Sequence, residues 1–459
     1  MKDAFSRRAA LPLILSAAIG AAPASADIRL DEPSAELTLQ QAEAGYRIQS
    51  FDITALPGNR WALVWAARGE DANARDYVAA QRFNAAGEPV GAPVRVHQVA
   101  EGESLHLGRP SVDSDGNGNL MVSWGSYDPE GGGSDEYCYE EGWYTRVNRN
   151  DTGQTVAAPR SIPAPGIPAC RSDIVVDADG DYVTASSLGS EGYLFWVRYL
   201  RDHTQTWADE VSAFRNIVPG GMTMAPDGTL VVTIEDRAEA LFRRLSPGGI
   251  ALHDDHFEEL DNGVASSSDV YQSVPAVASV GGDGFVGVWL EDNTPGDDPQ
   301  KTFEIHGRRW HGDGTAGAAL LLASNPQTGT FTPPSVAADG QGNMVGVWAW
   351  QEDGQAPVAG LTAYDRDGQL VGDRDTPFAD LSALGEFTPG GEPRVILQEG
   401  VMAVAWQTDD GSEIQGRTFI QHNAPESNEG GGGGGGPMAP LLLLTLAVLG
   451  LRRRRFTPR

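Results

Sequence analysis

At 459 residues and 40% hydrophobic content the chain can bury a large core, and its 57 glycines and 29 prolines favour short elements joined by turns over long helices. The formal net charge is -30, and basic residues gathered at the two ends leave the body between them more acidic still. A field of that sign repels nucleic acid and anionic lipid, which argues against those partners and leaves cations, basic proteins and neutral glycans.

The chain opens "MKDAFSRRAALPLILSAAIGAAPASADI", with Arg7 and Arg8 ahead of an apolar stretch and Ala24-Ser25-Ala26 as an A-x-A cleavage site. Residues 1–26 therefore read as a signal peptide, with signal peptidase as its partner and Asp27 near the start of the mature protein. The "SRRAAL" piece also resembles a twin-arginine signal, so both export routes stay open.

From residue 27 to 423 the organising feature is repetition. "RPSVDSDGNGNLMVSW" (Arg109–Trp124) returns as "VPAVASVGGDGFVGVW" (Val274–Trp289), "PPSVAADGQGNMVGVW" (Pro333–Trp348) and "EPRVILQEGVMAVAW" (Glu392–Trp406). Weaker copies end at Trp65, Ser186 and Ile234, so seven copies recur at steps of 48 to 62 residues. Short alternating strands with Asp/Gly turns at such a period are the mark of propeller blades. A third strand follows each copy, as in "AQRF" (Ala80–Phe83) or "GRRW" (Gly307–Trp310). The seventh copy stops after that strand. Its missing fourth strand matches "EPSAELTLQQ" (Glu32–Gln41), which mimics "EPVGAPVRVHQ" (Glu88–Gln98). The fold class expected is thus all-β: a seven-bladed β-propeller closed by an N-terminal strand, which leaves no open edge. In this the body resembles bacterial seven-bladed propeller repeat proteins.

Repeated residues read as scaffold. Arg82, Arg146, Arg198, Arg244 and Arg309 share one third-strand position, where they would stack on blade tryptophans or bind neighbouring backbone. "DSDGNGN" (Asp113–Asn119) and "DADGD" (Asp177–Asp181) fit hairpin turns, with calcium as a second reading. "HDDH" (His253–His256) is not expected to bind metal, because alternation along a strand sends its side chains to opposite faces.

Features found in one blade only are the candidates for function. The links between second and third strands are enlarged in blades 2 (Gly125–Trp143) and 5 (Glu291–Gly307), and all such links fall on one face of the disc. The binding candidates there are Tyr127, Asp128, Asp135, Glu136, Tyr137, Tyr139, Trp143, Asp292, Asp297, Asp298 and Trp350. Carboxylates among aromatics suit calcium-assisted glycan binding or capture of a basic protein, against the alternative of a merely solvated acidic surface. Two cysteines, Cys138 and Cys170, are expected to form a disulfide after export.

The chain ends "EGGGGGGGPMAPLLLLTLAVLGLRRRRFTPR". Residues 424–436 read as a flexible glycine-rich linker and 437–451 as a short apolar membrane helix. At 1.5 Å per residue those 15 residues give about 22 Å, workable if the bilayer thins. Residues 452–459, with Arg452, Arg453, Arg454 and Arg455, form a basic cytoplasmic tail. Gly430, Gly431, Gly432, Gly433, Gly434, Gly435 and Gly436, the apolar helix and the arginines together resemble the GlyGly-CTERM sorting signal of Gram-negative bacteria. That resemblance implies cleavage near the glycines by rhombosortase, transit through the inner membrane, type II secretion, and a final place at the cell surface or outside the cell.

No G-x-S-x-G, H-E-x-x-H or phosphate-binding loop occurs, and a sialidase-type Asp box is approached by Ser111–Gly116 without its tryptophan. Two classes follow: a surface-displayed, non-catalytic propeller for a glycan, cation or protein, which is favoured, and a secreted glycosidase or polysaccharide lyase.

Overall fold

The computed structural model describes residues 28–30, 34–71, 74–127, 141–150, 153–162, 169–188, 193–211, 218–236, 239–252, 258–259, 271–281, 284–292, 303–325, 329–352, 358–371, 377–380, 392–398, 400–408, 410–419 and 421–423. They belong to one compact unit spanning Ser25–Ala424. The expected signal peptide 1–26, the linker 424–436, the apolar segment 437–451 and the basic tail lie outside the described residues, as does the HDDH stretch.

The described residues are all strand, turn and loop, arranged as seven antiparallel blade sheets and one two-stranded antiparallel pair. In blade 1, Tyr46–Leu56 is innermost, followed outward by Arg60–Gly69, Tyr77–Phe83 and Val94–Gln98. Blades 2 to 6 repeat this order, blades 2 and 6 with broken inner and outer strands. Blade 7 contains Arg394–Gln398, Val401–Gln407 and Glu413–Phe419 and takes its outer strand from the far end of the chain, Leu37–Gln41. The closure read from the sequence is therefore present. A second pairing, Ile28–Leu30 with Gln421–Asn423, ties the same two ends.

The two-sided alternation explains why the blades stack. In the second strand of blade 1, Trp61, Leu63 and Trp65 pack with Ile396, Val401 and Ala403 of blade 7, while Ala62, Val64 and Ala66 pack with Val112, Leu120 and Trp124 of blade 2. Successive residues thus serve opposite neighbours, as strand geometry requires. Seven buried clusters result, one at each blade junction, and the cluster joining blades 7 and 1 completes the circle.

Glycine is needed at Gly416, where an added Cβ would sit 2.5 Å from Leu39 Cδ1 and 2.7 Å from the Val404 carbonyl oxygen. The Asp/Gly stretches form hairpin turns. Gly118 N–H donates to the Asp115 carbonyl (2.8 Å) with Gly118 at φ +78°, a left-handed conformation that glycine accepts readily. Asp115 Oδ1 accepts the N–H groups of Asn117 and Asn119, and Asp177 and Asp339 repeat this in blades 3 and 6.

Four of the five third-strand arginines bind backbone, as one of their two expected roles had it, and these four reach forward to the next blade. Arg82 donates to the Gly118 carbonyl (2.7 Å), Arg198 to that of Gly228 (3.0 Å), Arg244 to that of Gly312 (2.9 Å) and Arg309 to that of Gly342. Arg146 instead holds Asp115 of its own blade at 2.8 Å.

Candidate functional site

Each inner strand begins where the chain enters its blade, so those entries share one face with the links between second and third strands. At the end of the second strand of blade 2 lies a polar node built by two blades. Asp76, 4% exposed, accepts from Gly69 N–H (3.0 Å) and Leu107 N–H (3.2 Å) and pairs with His106 Nδ1 at 2.9 Å. Arg68 donates to the Tyr127 hydroxyl and lies over that ring at 5.8 Å. Tyr127 is 3% exposed, so it is buried, unlike the exposed aromatic expected from sequence.

Trp143 is half-buried, its indole N–H donating to Ser126 Oγ (3.3 Å). Trp350 is half-buried against the core shared by blades 5 and 6. Asp292 ends the second strand of blade 5, opposite Phe303. In the strands of that blade His306 Nε2 lies 2.9 Å from Glu304 Oε2 and 3.9 Å from Glu291 Oε2, and its ring stacks on Trp289. Asp128, Asp135, Glu136, Tyr137, Cys138, Tyr139, Asp297 and Asp298 lie outside the described residues. Cys170 is in the inner strand of blade 3, Ala169–Val176.

Sequence reasoning missed the central channel. A cavity of about 410 Å³ is lined by the inner strands of all seven blades and by Asp52, Arg109, Asp113, Asp173 and Arg394. The edges of those strands carry N–H groups that need acceptors, and side chains of the preceding blade supply them. Asp52 Oδ2 accepts from Val112 N–H (3.0 Å), Asp113 Oδ2 from Val176 N–H (2.8 Å), and Thr223 Oγ1 from Ser279 N–H (3.0 Å). At the channel mouth Arg109 and Arg394 both bind Glu392 Oε2, at 3.1 and 2.6 Å. One signal was available for this group: the equivalent repeat position, just before the proline, holds Arg109 and Glu392 in two copies but Val274 and Pro333 in two others. Among the described residues no group of three or more His, Cys, Asp or Glu side chains is placed to hold a metal ion.

Burial raises both channel aspartates, Asp52 to about 6 and Asp113 to about 6, against the partial relief of their backbone hydrogen bonds. The folded protein therefore holds these protons in a range where the unfolded chain, titrating near 4, has released them. Stability should fall as pH rises from about 4 to about 6, by on the order of 2–3 kcal/mol per group, and this contribution should be level above that range. Asn at either position keeps an oxygen for the N–H and removes the titration. Urea midpoints at pH 5.0 and 7.5 should therefore differ less for the double variant Asp52→Asn/Asp113→Asn than for the wild type. Equal differences would contradict the burial of these carboxyls.

No protein-family description and no curated protein matches the chain. Among solved structures, a PL25 ulvan lyase is 10% identical, covering 84% of this chain and 96% of that chain at a TM-score of 0.47. An α-L-arabinanase of Penicillium chrysogenum is 9% identical, covering 85% and 99% at 0.44. An α-L-arabinofuranosidase of Fusarium graminearum is 10% identical, covering 85% and 98% at 0.40. With all three scores below 0.5, these likenesses bear on neither ligand nor reaction.

Proposed function

We propose that this is an exported propeller that binds a glycan or protein ligand on its link face and is displayed at the cell surface by its C-terminal signal. The supporting observation is that the strands flanking both enlarged links carry polar groups held by one another, Arg68–Asp76–His106–Tyr127 in one case and Glu291–His306–Glu304 in the other. Pre-ordered polar groups on a binding face lower the entropy lost when a ligand binds there. Binding is favoured over catalysis because the channel carboxylates Asp52 and Asp113 are engaged with neighbouring backbone. On this reading calcium would join the link carboxylates, since Asp115, Asp177 and Asp339 already accept turn N–H groups. A Cys138–Cys170 disulfide would tie the blade 2 link to blade 3. Signal peptidase, rhombosortase and the type II machinery would act in turn, with the inner membrane a passing station.

The second reading, a secreted carbohydrate-active enzyme, draws on one feature. His106, oriented by Asp76 through Nδ1, is 29% exposed on this same face, where an oriented imidazole could serve as a base. A glycan array run beside an assay for reducing ends and unsaturated sugars separates the two: retention without product is expected. Steady product release would replace the binding reading by the enzymatic one, and an empty array with no product would remove both. Mass spectrometry of the surface form should find a C terminus near Gly430–Gly436, and an intact Arg459 would overturn the sorting proposal.

A further inference from the structure

The turn between the third and outer strands of blade 3 departs from its sister turns. In blades 1, 4, 5 and 6 the residue whose N–H closes this turn is Gly87, Gly249, Gly314 or Gly368, each at φ between +77° and +85°. Blade 3 has His203 there, at φ +70°, its N–H donating to the Leu200 carbonyl at 2.8 Å. The left-handed region suits glycine and is disfavoured for a residue with a Cβ, so the imidazole is the feature to account for. That ring joins two blades. Its Nδ1 lies 2.6 Å from the hydroxyl of Tyr182, which begins the second strand of blade 3 and is fully buried. The same hydroxyl lies 3.1 Å from that of Tyr144, on the third strand of blade 2. His203 also packs against the rings of both tyrosines, at 5.8 and 6.0 Å. Tyr199 stacks on Tyr182 at 5.1 Å, and its hydroxyl is buried with no hydrogen-bond partner among the described residues.

We propose that His203 is an acid-sensitive latch: as the neutral imidazole it pins the turn of blade 3 to Tyr182 and Tyr144, and once protonated it leaves them, opening that end of the junction between blades 2 and 3. The charges around the ring favour this. Arg146 on the third strand of blade 2 and Arg160 on its outer edge face it with positive charge, against Asp202 of its own turn. The other neighbours, Tyr144, Tyr182 and Tyr199, are phenols, and burial pushes Tyr182 and Tyr199 further from ionising. Burial, and then the guanidiniums of Arg160 and Arg146, lower the pKa of His203 from its ordinary 6.5, with Asp202 opposing. A half-buried imidazolium beside two guanidiniums loses hydration and gains repulsion, and a turn swung into solvent relieves both. The open turn takes up its proton near the ordinary value, so the latch is at full strength above about 6.5 and is lost as pH falls through the lower, folded value. The channel responds in the opposite sense, because Asp52 and Asp113 hold their protons more tightly in the folded protein. These third-to-outer turns fall on the face opposite the links, so the latch stands apart from the ligand reading above.

The test is amide hydrogen exchange of the purified protein at pH 5.0 and 7.5, read by mass spectrometry and corrected for the pH dependence of free amides. A local readout is needed because a global melt would mix this turn with the opposite response of the channel aspartates. Amides of residues 199–206 should exchange several-fold faster at pH 5.0 than at pH 7.5 after correction. The equivalent turn of blade 4, Ser246–Ile250, carries Gly249 in place of the histidine and should show no such rise. His203→Gly supplies the residue that the sister turns use and removes the ring, while His203→Asn tolerates the left-handed conformation and does not titrate. Both should lose the pH difference, and His203→Gly should already exchange faster than the wild type at pH 7.5. Circular dichroism melts confirm that both variants are folded. A wild-type turn that exchanges equally at the two pH values, or the same acid-induced rise in either folded variant, would overturn the latch.

Discussion

A chain beginning at Ala42 is expected to be less stable than one beginning at Asp27 by on the order of 5 kcal/mol or more, and to associate through its exposed edge. The shortened protein lacks the outer strand of blade 7. In the intact chain Leu37 lies opposite Gly416, Thr38 opposite Gln415, Gln40 opposite Ile414 and Gln41 opposite Glu413. Around this ladder Ser34 N–H donates to the Thr418 carbonyl (2.9 Å), Thr418 N–H to Ser34 Oγ (3.0 Å), and Ala42 N–H to the Ser412 carbonyl (2.8 Å). Leu39 is 8% exposed in the core between blades 7 and 1, where truncating a buried leucine typically costs about 2–5 kcal/mol. The ladder and end bonds add roughly 1 kcal/mol each. An ordinary frayed terminus would lose little on trimming. Thermal melts and sedimentation of the two proteins decide the matter. If they melt together and both stay monomeric, the strand does not hold the ring closed.

The blades and their closure were legible because both depend on local pattern. A strand that buries alternate faces against two neighbours reads as near-continuous apolar sequence ending in tryptophan, and the likeness of Glu32–Gln41 to Glu88–Gln98 gave the missing strand. The hairpin turns were legible for the same reason, since glycine supplies the left-handed residue at Gly118. The channel group was not, because its chemistry joins residues far apart in the chain: Asp52 acts on Val112, and Arg109 meets Glu392. Strand alternation also could not reveal that Tyr127, the last residue of its strand, meets Arg68 of the previous blade. What singled out the channel mouth was a departure from the repeat, charge where sister blades carry valine or proline, and that signal requires the copies to be compared position by position.

The same comparison makes the third-strand arginines a test of how the blades hold one another. Arg198 is 6% exposed and bridges blades 3 and 4, donating to the carbonyls of Gly228 (3.0 Å) and Pro247 (3.3 Å) while pairing with Asp177 at 3.2 Å in its own blade. Desolvation raises the pKa of Asp177, partly offset by hydrogen bonds and by Arg198, so its carboxylate depends in part on that guanidinium. Arg198→Met fills much of the same volume but leaves the Gly228 carbonyl and the Asp177 carboxylate short of a donor, while the Pro247 carbonyl keeps the Trp207 indole N–H at 2.9 Å. Removing one partner of a buried charged pair typically costs about 3–5 kcal/mol, more than losing a neutral hydrogen bond. Arg146→Met should cost less, because Arg146 is 22% exposed at its side chain and holds Asp115 within its own blade. Urea unfolding of the two variants should place Arg198→Met well below Arg146→Met, with the extra loss appearing as faster amide exchange at the junction of blades 3 and 4. Equal losses would mean that the arginines stabilise single blades, and that the apolar clusters alone hold neighbouring blades together.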